Sequence, residues 1–104
     1  MKTFISIVIG VMALPAIAGK DVNDRTVNYV YQPDLAPTEF EFSANRTNAC
    51  GTDLYRVQSP DEATADRKFS LVLAAFTTKK KLSFHDTEVC KSGRAVVSWV
   101  KLVN

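Results

Sequence analysis

The sequence contains a single histidine and few sets of side chains that could catalyse a reaction. His85 is followed by Asp86 and, two residues later, by Glu88. A metal site needs three or four converging ligands, and no second histidine is present to supply one. Serine-based catalysis would need His85 as its base together with a motif such as Gly-x-Ser-x-Gly, which is absent. We therefore expect no metal, no cofactor and no enzymatic activity, with His85 facing outward from a strand beside local carboxylates.

Two glutamates, Glu39 and Glu41, form another arrangement with catalytic potential. On a strand they would share one face at a separation of about 7 Å, which is compatible with glycoside cleavage by two carboxylates. However, Phe40 and Phe42 alternate with them. This period of two already explains the glutamates as the solvated face of a half-buried strand.

The N-terminal segment has the pattern of a secretory signal peptide. Lys2 precedes an apolar run that ends in a small-x-small sequence at residues 16–18, and the run is too short for a membrane anchor. We predict a signal peptide over residues 1–18 and a single exported domain over residues 19–104, periplasmic or secreted and without membrane insertion. The mature chain is nearly neutral, which disfavours nucleic acid as a partner.

Composition and cysteine content indicate one small, cross-linked domain. The 104 residues are 46% hydrophobic and 23% charged, which is too apolar for a disordered chain. Cys50 and Cys90 are the only cysteines, and in an exported protein such a pair predicts one structural disulfide. A reactive pair would instead show Cys-x-x-Cys spacing. Closing a loop of about 40 residues would stabilise the fold by about 4 kcal/mol.

Hydrophobic periodicity predicts five strands and one helix. A helix is expected over residues 60–77, with Ser59 as its N-cap, Pro60 at its first position and Glu62 completing a capping box. Its apolar stripe consists of Ala65, Phe69, Val72, Leu73 and Phe76. The strands are predicted at residues 26–31, 39–43, 54–58, 82–85 and 95–103.

The last predicted strand is apolar on both faces, and one small core cannot bury both. Either a neighbouring subunit covers one face, or a corner in the strand turns both of its ends inward. We favour the first alternative slightly and leave the second open. The first alternative predicts a homo-oligomer whose interface contains Val97, Trp99 and Val103.

The order of the elements, β-β-β-α-β-β, is that of an OB barrel. In that fold five strands close into a barrel, and the helix seals one open end. The main alternative is an open α+β sheet with the helix across one face. We predict the barrel, a mostly β member of the α+β class with one disulfide.

Three segments carry a resemblance to a known group of proteins. Residues 48–57, residues 67–80 and the last strand, together with Cys90, resemble small exported bacterial proteins of unknown function. Those proteins are similar to the cell-binding B subunits of subtilase-cytotoxin-type AB5 toxins. The resemblance covers residues 48–104 and implies an OB-like fold, with a toxin role as one possibility.

The predicted barrel also indicates where a ligand would bind. OB barrels usually bind oligosaccharides or nucleic acids on the exposed side of their second and third strands, and two acidic residues on that side oppose phosphate. We predict a non-catalytic recognition module that binds a glycan or an exported protein. The alternative is a monomeric periplasmic interaction or inhibitor protein. The candidate ligand-binding residues are Tyr31, Glu39, Glu41, Arg56, Gln58 and Arg94.

Overall fold

Six strands and one helix follow one another in the computed structural model, which describes residues 19–32 and 36–104. The predicted signal peptide lies outside the described residues. The elements are β1 (Lys20–Arg25), β2 (Val27–Tyr31), β3 (Glu39–Ala44), β4 (Leu54–Gln58), α1 (Glu62–Thr78), β5 (Lys81–Lys91) and β6 (Arg94–Val103). The predicted α+β class, mostly β with one helix, is confirmed.

The strands form one open sheet in the order β1-β5-β6-β4-β3-β2. Neighbouring strands are antiparallel except β4 and β6, which are parallel. The closed barrel of five strands is therefore wrong. The reason is that the chain before Thr26 forms an additional strand, β1, which pairs with β5, whereas β2 pairs with β3. β1 and β2 are the two edge strands of the sheet, and Thr26 joins them in the chain.

The core lies on one side of the strands and is built around aromatic rings. Phe42 stacks on Tyr55 with 5.3 Å between ring centroids, and Phe84 meets both rings edge-on. All three side chains are fully buried, as is Val57 on β4. Burial of each large apolar side chain stabilises the fold by about 1.5–3 kcal/mol. The inward orientation predicted for the phenylalanines of β3 is confirmed.

A bulge in β6 decides how that strand uses its two apolar faces. Phe84 pairs with Val100, but Asp86 pairs with Val97, so β6 has one residue more than β5 between these pairs. The extra residue reverses the alternation of side chains. Residues on both sides of the bulge therefore pack in or against the core, namely Ala95, Val97, Val100 and Leu102.

This bulge corresponds to the corner that was the less favoured alternative for the last strand. Val97, predicted in a subunit interface, is fully buried in the core. Of the three predicted interface residues, Trp99 is exposed and Val103 is half-buried. The apolar residues of β6 thus no longer require a second subunit.

Helix α1 packs against β2 and β6 and also touches the strands between them. Its N-cap is Asp61, whose carboxylate accepts a hydrogen bond from the backbone N–H of Thr64 at 2.7 Å. The predicted capping box of Ser59 and Glu62 is therefore wrong. Aspartate caps a helix as well as serine does, and its charge adds a favourable interaction with the helix dipole. Of the predicted stripe, Ala65 and Val72 are buried and Phe69 packs edge-on against Phe40, whereas Leu73 and Phe76 are exposed.

Two links attach the β3–β4 loop to the β5–β6 hairpin. The predicted disulfide between Cys50 and Cys90 is present, with an S–S distance of 2.07 Å. The hydroxyl of Thr52 also donates to the carbonyl of Gly93 at 2.6 Å. Ser92 and Gly93 form the two-residue turn of the hairpin, and both have positive φ, as a type I′ turn requires. These links fix the ends of the strands that carry the candidate site.

Candidate binding face

The strand register places the predicted ligand-binding residues side by side on the outer side of the sheet. Glu41 lies opposite Tyr31 of β2 and opposite Arg56 of β4, while Glu39 lies opposite Gln58. Side-chain hydrogen bonds link most of them into one cluster, which we call the charged face. It consists of Tyr29, Glu39, Glu41, Arg56, Gln58, Lys91 and Arg94.

Glu41 lies at the centre of the charged face, and its side chain is only 4% exposed. Its Oε1 accepts from Nε of Arg94 at 2.7 Å and from Nη2 of Arg56 at 3.4 Å. Its Oε2 accepts from the Tyr29 hydroxyl at 3.3 Å. A buried carboxylate requires such partners because desolvation of an isolated charge is costly.

Glu39 is the second carboxylate of the charged face. It accepts from Nη1 of Arg56 at 3.3 Å, from Nε2 of Gln58 at 3.2 Å and from Nζ of Lys91 at 3.1 Å. Burial alone would raise the pKa of Glu39, but the hydrogen bonds and charges of Lys91 and Arg56 outweigh it and hold that pKa below its usual value. Glu39 is therefore held as an anion.

Arg56 bridges the two carboxylates and is itself buried. Together with Lys91 and Arg94 it gives the charged face three cations against two anions. The sequence-based interpretation of Glu39 and Glu41 as a solvated face is therefore wrong. The long side chains of neighbouring strands cover the glutamates, which the alternation along a single strand could not reveal.

Tyrosines form the exposed part of this region. Tyr31 is 51% exposed and Tyr29 is 40% exposed. Burial, together with the charge and the hydrogen bond of Glu41, raises the pKa of the Tyr29 hydroxyl. The hydrogen bond from Arg94 to Glu41, reinforced by the charge of that carboxylate, raises the pKa of Arg94. The surface thus presents aromatic rings next to cations, and hydrogen bonds to the glutamates fix the positions of those cations.

The lowered pKa of Glu39 argues against a role for this residue as the general acid of a glycosidase. One carboxyl of a glycosidase must act as a general acid, which requires a raised pKa. The pKa of Glu39 is instead lowered, and Arg56 lies between Glu39 and Glu41 and binds both. Glu39 therefore lacks the raised pKa that a general acid needs, and the guanidinium of Arg56 occupies the position between the two carboxylates.

His85 lies on β5 and faces a carboxylate that the sequence analysis did not select. Its Nδ1 is 2.7 Å from Oδ1 of Asp21 on β1, and its ring is stacked near that of Trp99. Asp86, its neighbour in the chain, is fully buried and pairs with Arg46 at 2.9 Å. Within residues 19–32 and 36–104, no three histidine, cysteine or acidic side chains converge as a metal site would require.

Two members of the charged face, Tyr29 and Lys91, were not among the predicted ligand-binding residues. Tyr29 could have been included, because it is two residues from Tyr31 and shares its face of β2. Lys91 falls between the strands predicted at residues 82–85 and 95–103, and only the pairing of β5 with β6 brings its ammonium to Glu39. Its position depends on a contact between residues 52 positions apart.

Comparison of the chain with protein-family models and with curated proteins finds no match. Across the described residues, every helix falls short of the length and apolar character needed to cross a membrane.

Proposed function

We propose that this protein is an exported, non-catalytic recognition module whose charged face binds a glycan. The observation that carries the proposal is the cluster in which Arg56 is hydrogen-bonded to Glu39 and Glu41, next to the exposed residues Tyr29 and Tyr31 of β2. Glycan recognition uses aromatic rings that stack on the sugar and fixed polar groups that bind its hydroxyls. Both kinds of group are held here on neighbouring strands.

The rigidity of the charged face supports this proposal. Each carboxylate accepts hydrogen bonds from three different side chains, so the polar groups are oriented before a ligand arrives. Preorganisation lowers the entropy cost of binding. Glycans are small, hydrated ligands, and a preformed surface offsets the limited area that they can bury.

A glycan array probed with the oxidised protein, residues 19–104, tests the proposal. For any glycan that binds, Tyr31→Ala should weaken the affinity at least tenfold, because it removes the most exposed ring beside the cluster. Phe76→Ala provides the matched control, since Phe76 is also an exposed aromatic residue but lies on α1. Equal affinities for the two variants would contradict the proposed site.

A protein ligand is the second candidate. Tyrosine and arginine are the residue types most enriched at the energetic centres of protein interfaces, and the charged face contains Tyr29, Arg56 and Arg94. In this alternative the protein is a monomeric periplasmic interaction or inhibitor protein. Pull-down of envelope proteins before and after enzymatic removal of their glycans separates the candidates, because only a protein ligand survives the treatment.

Assembly is a further part of the proposal and follows from the resemblance to toxin B subunits. A homo-oligomer would cover Trp99 and the half-buried Val103, which remain on the surface of β6. Sedimentation equilibrium measures the assembly state directly. A monomer at every accessible concentration would contradict the oligomer and favour the inhibitor alternative.

A further inference from the structure

Gly19, the first residue after the predicted signal peptide, lies at the start of β1. It packs tightly against His85, the only histidine of the sequence. A Cβ built on Gly19 would lie 2.5 Å from the main-chain oxygen of Asp86 and 2.8 Å from Nε2 of His85. Gly19 also has a φ of +73°, a conformation that favours glycine. The backbone of Gly19 is therefore packed directly against the imidazole ring.

The orientation of His85 follows from the contact of its other nitrogen. Nδ1 lies 2.7 Å from Oδ1 of Asp21, which is the partner of His85 in the β1–β5 ladder. An ionised carboxylate can only accept a hydrogen bond, so Nδ1 carries the hydrogen. In the neutral ring Nε2 is then an acceptor. This acceptor faces Gly19.

Cleavage after Ala18 would change the group that Gly19 presents to Nε2. Within a continuous chain the nitrogen of Gly19 is an amide with one hydrogen, whereas at a free terminus it is an ammonium with three donors and a positive charge. That nitrogen lies at most about 5.3 Å from Nε2, since the built Cβ is 2.8 Å from Nε2 and N and Cβ of one residue are about 2.5 Å apart. At a free terminus, rotation about the Cα–C bond can shorten the distance.

We propose that the mature N-terminus is captured at this site, with the Gly19 ammonium donating to Nε2 of His85 while Asp21 balances the charge through Nδ1. This N-terminal latch holds the start of β1 against β5 and forms only after the leader has been removed. The inference rests on the export that the proposed function includes, but it does not depend on the charged face or its ligand.

The test compares two oxidised proteins, one beginning at Gly19 and one beginning at Ala18, each released from a fusion without additional residues. The protein beginning at Gly19 should unfold at a temperature about 3–5 °C higher. Its β1 amides should exchange hydrogen about fivefold more slowly. ¹⁵N NMR of the single histidine should place the hydrogen on Nδ1 in this protein.

His85→Asn is the matched variant, because its amide can still donate to Asp21 but offers no acceptor at the position of Nε2. In this variant, the proteins beginning at Gly19 and at Ala18 should have the same unfolding temperature and the same exchange rates of the β1 amides. Equal unfolding temperatures in the original sequence would overturn the latch, and so would a difference that survives His85→Asn. N-terminal sequencing of the exported protein gives a separate readout: a terminus other than Gly19 would overturn the latch and leave glycan recognition unaffected.

Discussion

The charged face and the Arg46–Asp86 pair are both built from ions of opposite sign, but they differ in redundancy. Asp86 is fully buried, and among residues 19–32 and 36–104 its one charged partner is Arg46. Its other oxygen accepts from the backbone N–H of Glu88 at 2.7 Å. In the charged face, each glutamate has three side-chain donors, and the side chains of Lys91 and Arg94 remain partly exposed. The single buried pair can therefore contribute to the stability of the fold alone. In the charged face, one side chain can bind a ligand while the remaining donors still satisfy the glutamates.

Tyr55 explains why the Arg46–Asp86 pair belongs to the core. The hydroxyl of Tyr55 donates to the carbonyl of Arg46 at 2.9 Å and accepts from its Nη1 at 3.2 Å. Burial would lower the pKa of Arg46, but its hydrogen bonds to Asp86 and Tyr55 outweigh this effect and raise it. The pair thus ties the β3–β4 loop and β5 to a ring at the centre of the core.

The largest effect in this comparison is expected for Asp86→Ala. The substitution leaves Arg46 without its charged partner at a largely buried position, which should lower the free energy of unfolding by about 3–5 kcal/mol. Denaturant unfolding measures the change. Asp66→Ala, on the exposed side of α1, is the control and should change it by about 0.5 kcal/mol or less. A loss below 1 kcal/mol for Asp86→Ala would contradict the contrast between the two clusters.

Glu41→Gln should have a smaller effect on stability, although Glu41 is nearly as buried as Asp86. An amide oxygen in the place of Oε1 can still accept from both Arg94 and Arg56, and Arg56 keeps its contact with Glu39. We expect the free energy of unfolding to fall by about 1–2 kcal/mol. The affinity for a glycan found on the array should fall at least tenfold. If unfolding changed as much as for Asp86→Ala, redundancy would not distinguish the clusters.

The pH dependence of stability provides a third test, through Glu39. Because the pKa of Glu39 is lower in the folded state, this residue stabilises the fold above its usual pKa of 4.5. That stabilisation is lost as the pH falls through the lower value of the folded state. In Glu39→Gln, the free energy of unfolding should therefore decline less steeply below about pH 4.5. Asp61 is present in both proteins, so its titration does not contribute to the difference between them. If the free energy of unfolding declined equally steeply in both proteins, the lowered pKa of Glu39 would be contradicted.

The smallest effect is expected for Tyr29→Phe, which removes one of the three donors to Glu41. The free energy of unfolding should fall by about 0.5–1 kcal/mol near neutral pH. Because the pKa of Tyr29 is raised in the folded state, its stabilisation is complete below the usual value of 10 and is lost as the pH rises through the folded value. Ultraviolet titration should lose a late-titrating tyrosine in the variant, and an unchanged titration curve would contradict the contact.

Much of the fold could be predicted because the predicted strands have strong local signals. The alternation of glutamate and phenylalanine predicts β3, and an isolated cysteine pair in a chain predicted to be exported predicts the disulfide. In contrast, β1 was missed, since only Val22 of its six residues is buried and its sequence is polar and charged. Its place depends on backbone hydrogen bonds to β5, which leave no periodic pattern in the side chains.

The candidate site was predicted in part, because four of its residues lie on β3 and β4, which are neighbours both in the chain and in the sheet. The cover over Glu41 was not predicted, since Arg94 comes from a strand 53 positions further along the chain. The bulge in β6 was also not predicted, because it too depends on contacts between different strands. The sequence allowed two uses of its apolar faces, and only the pairing of β5 with β6 selected one.

The sequence by itself determined which segments form the helix and most strands, which way the phenylalanines of β3 face and which cysteines are joined. Those features follow from local periodicity and the small number of thiols. Tertiary structure decided the open six-stranded order, the corner in β6 and the conversion of two apparently solvated glutamates into a buried, charge-paired cluster. Each of these depends on register between distant strands, and a one-residue shift in register reverses which side chains are covered.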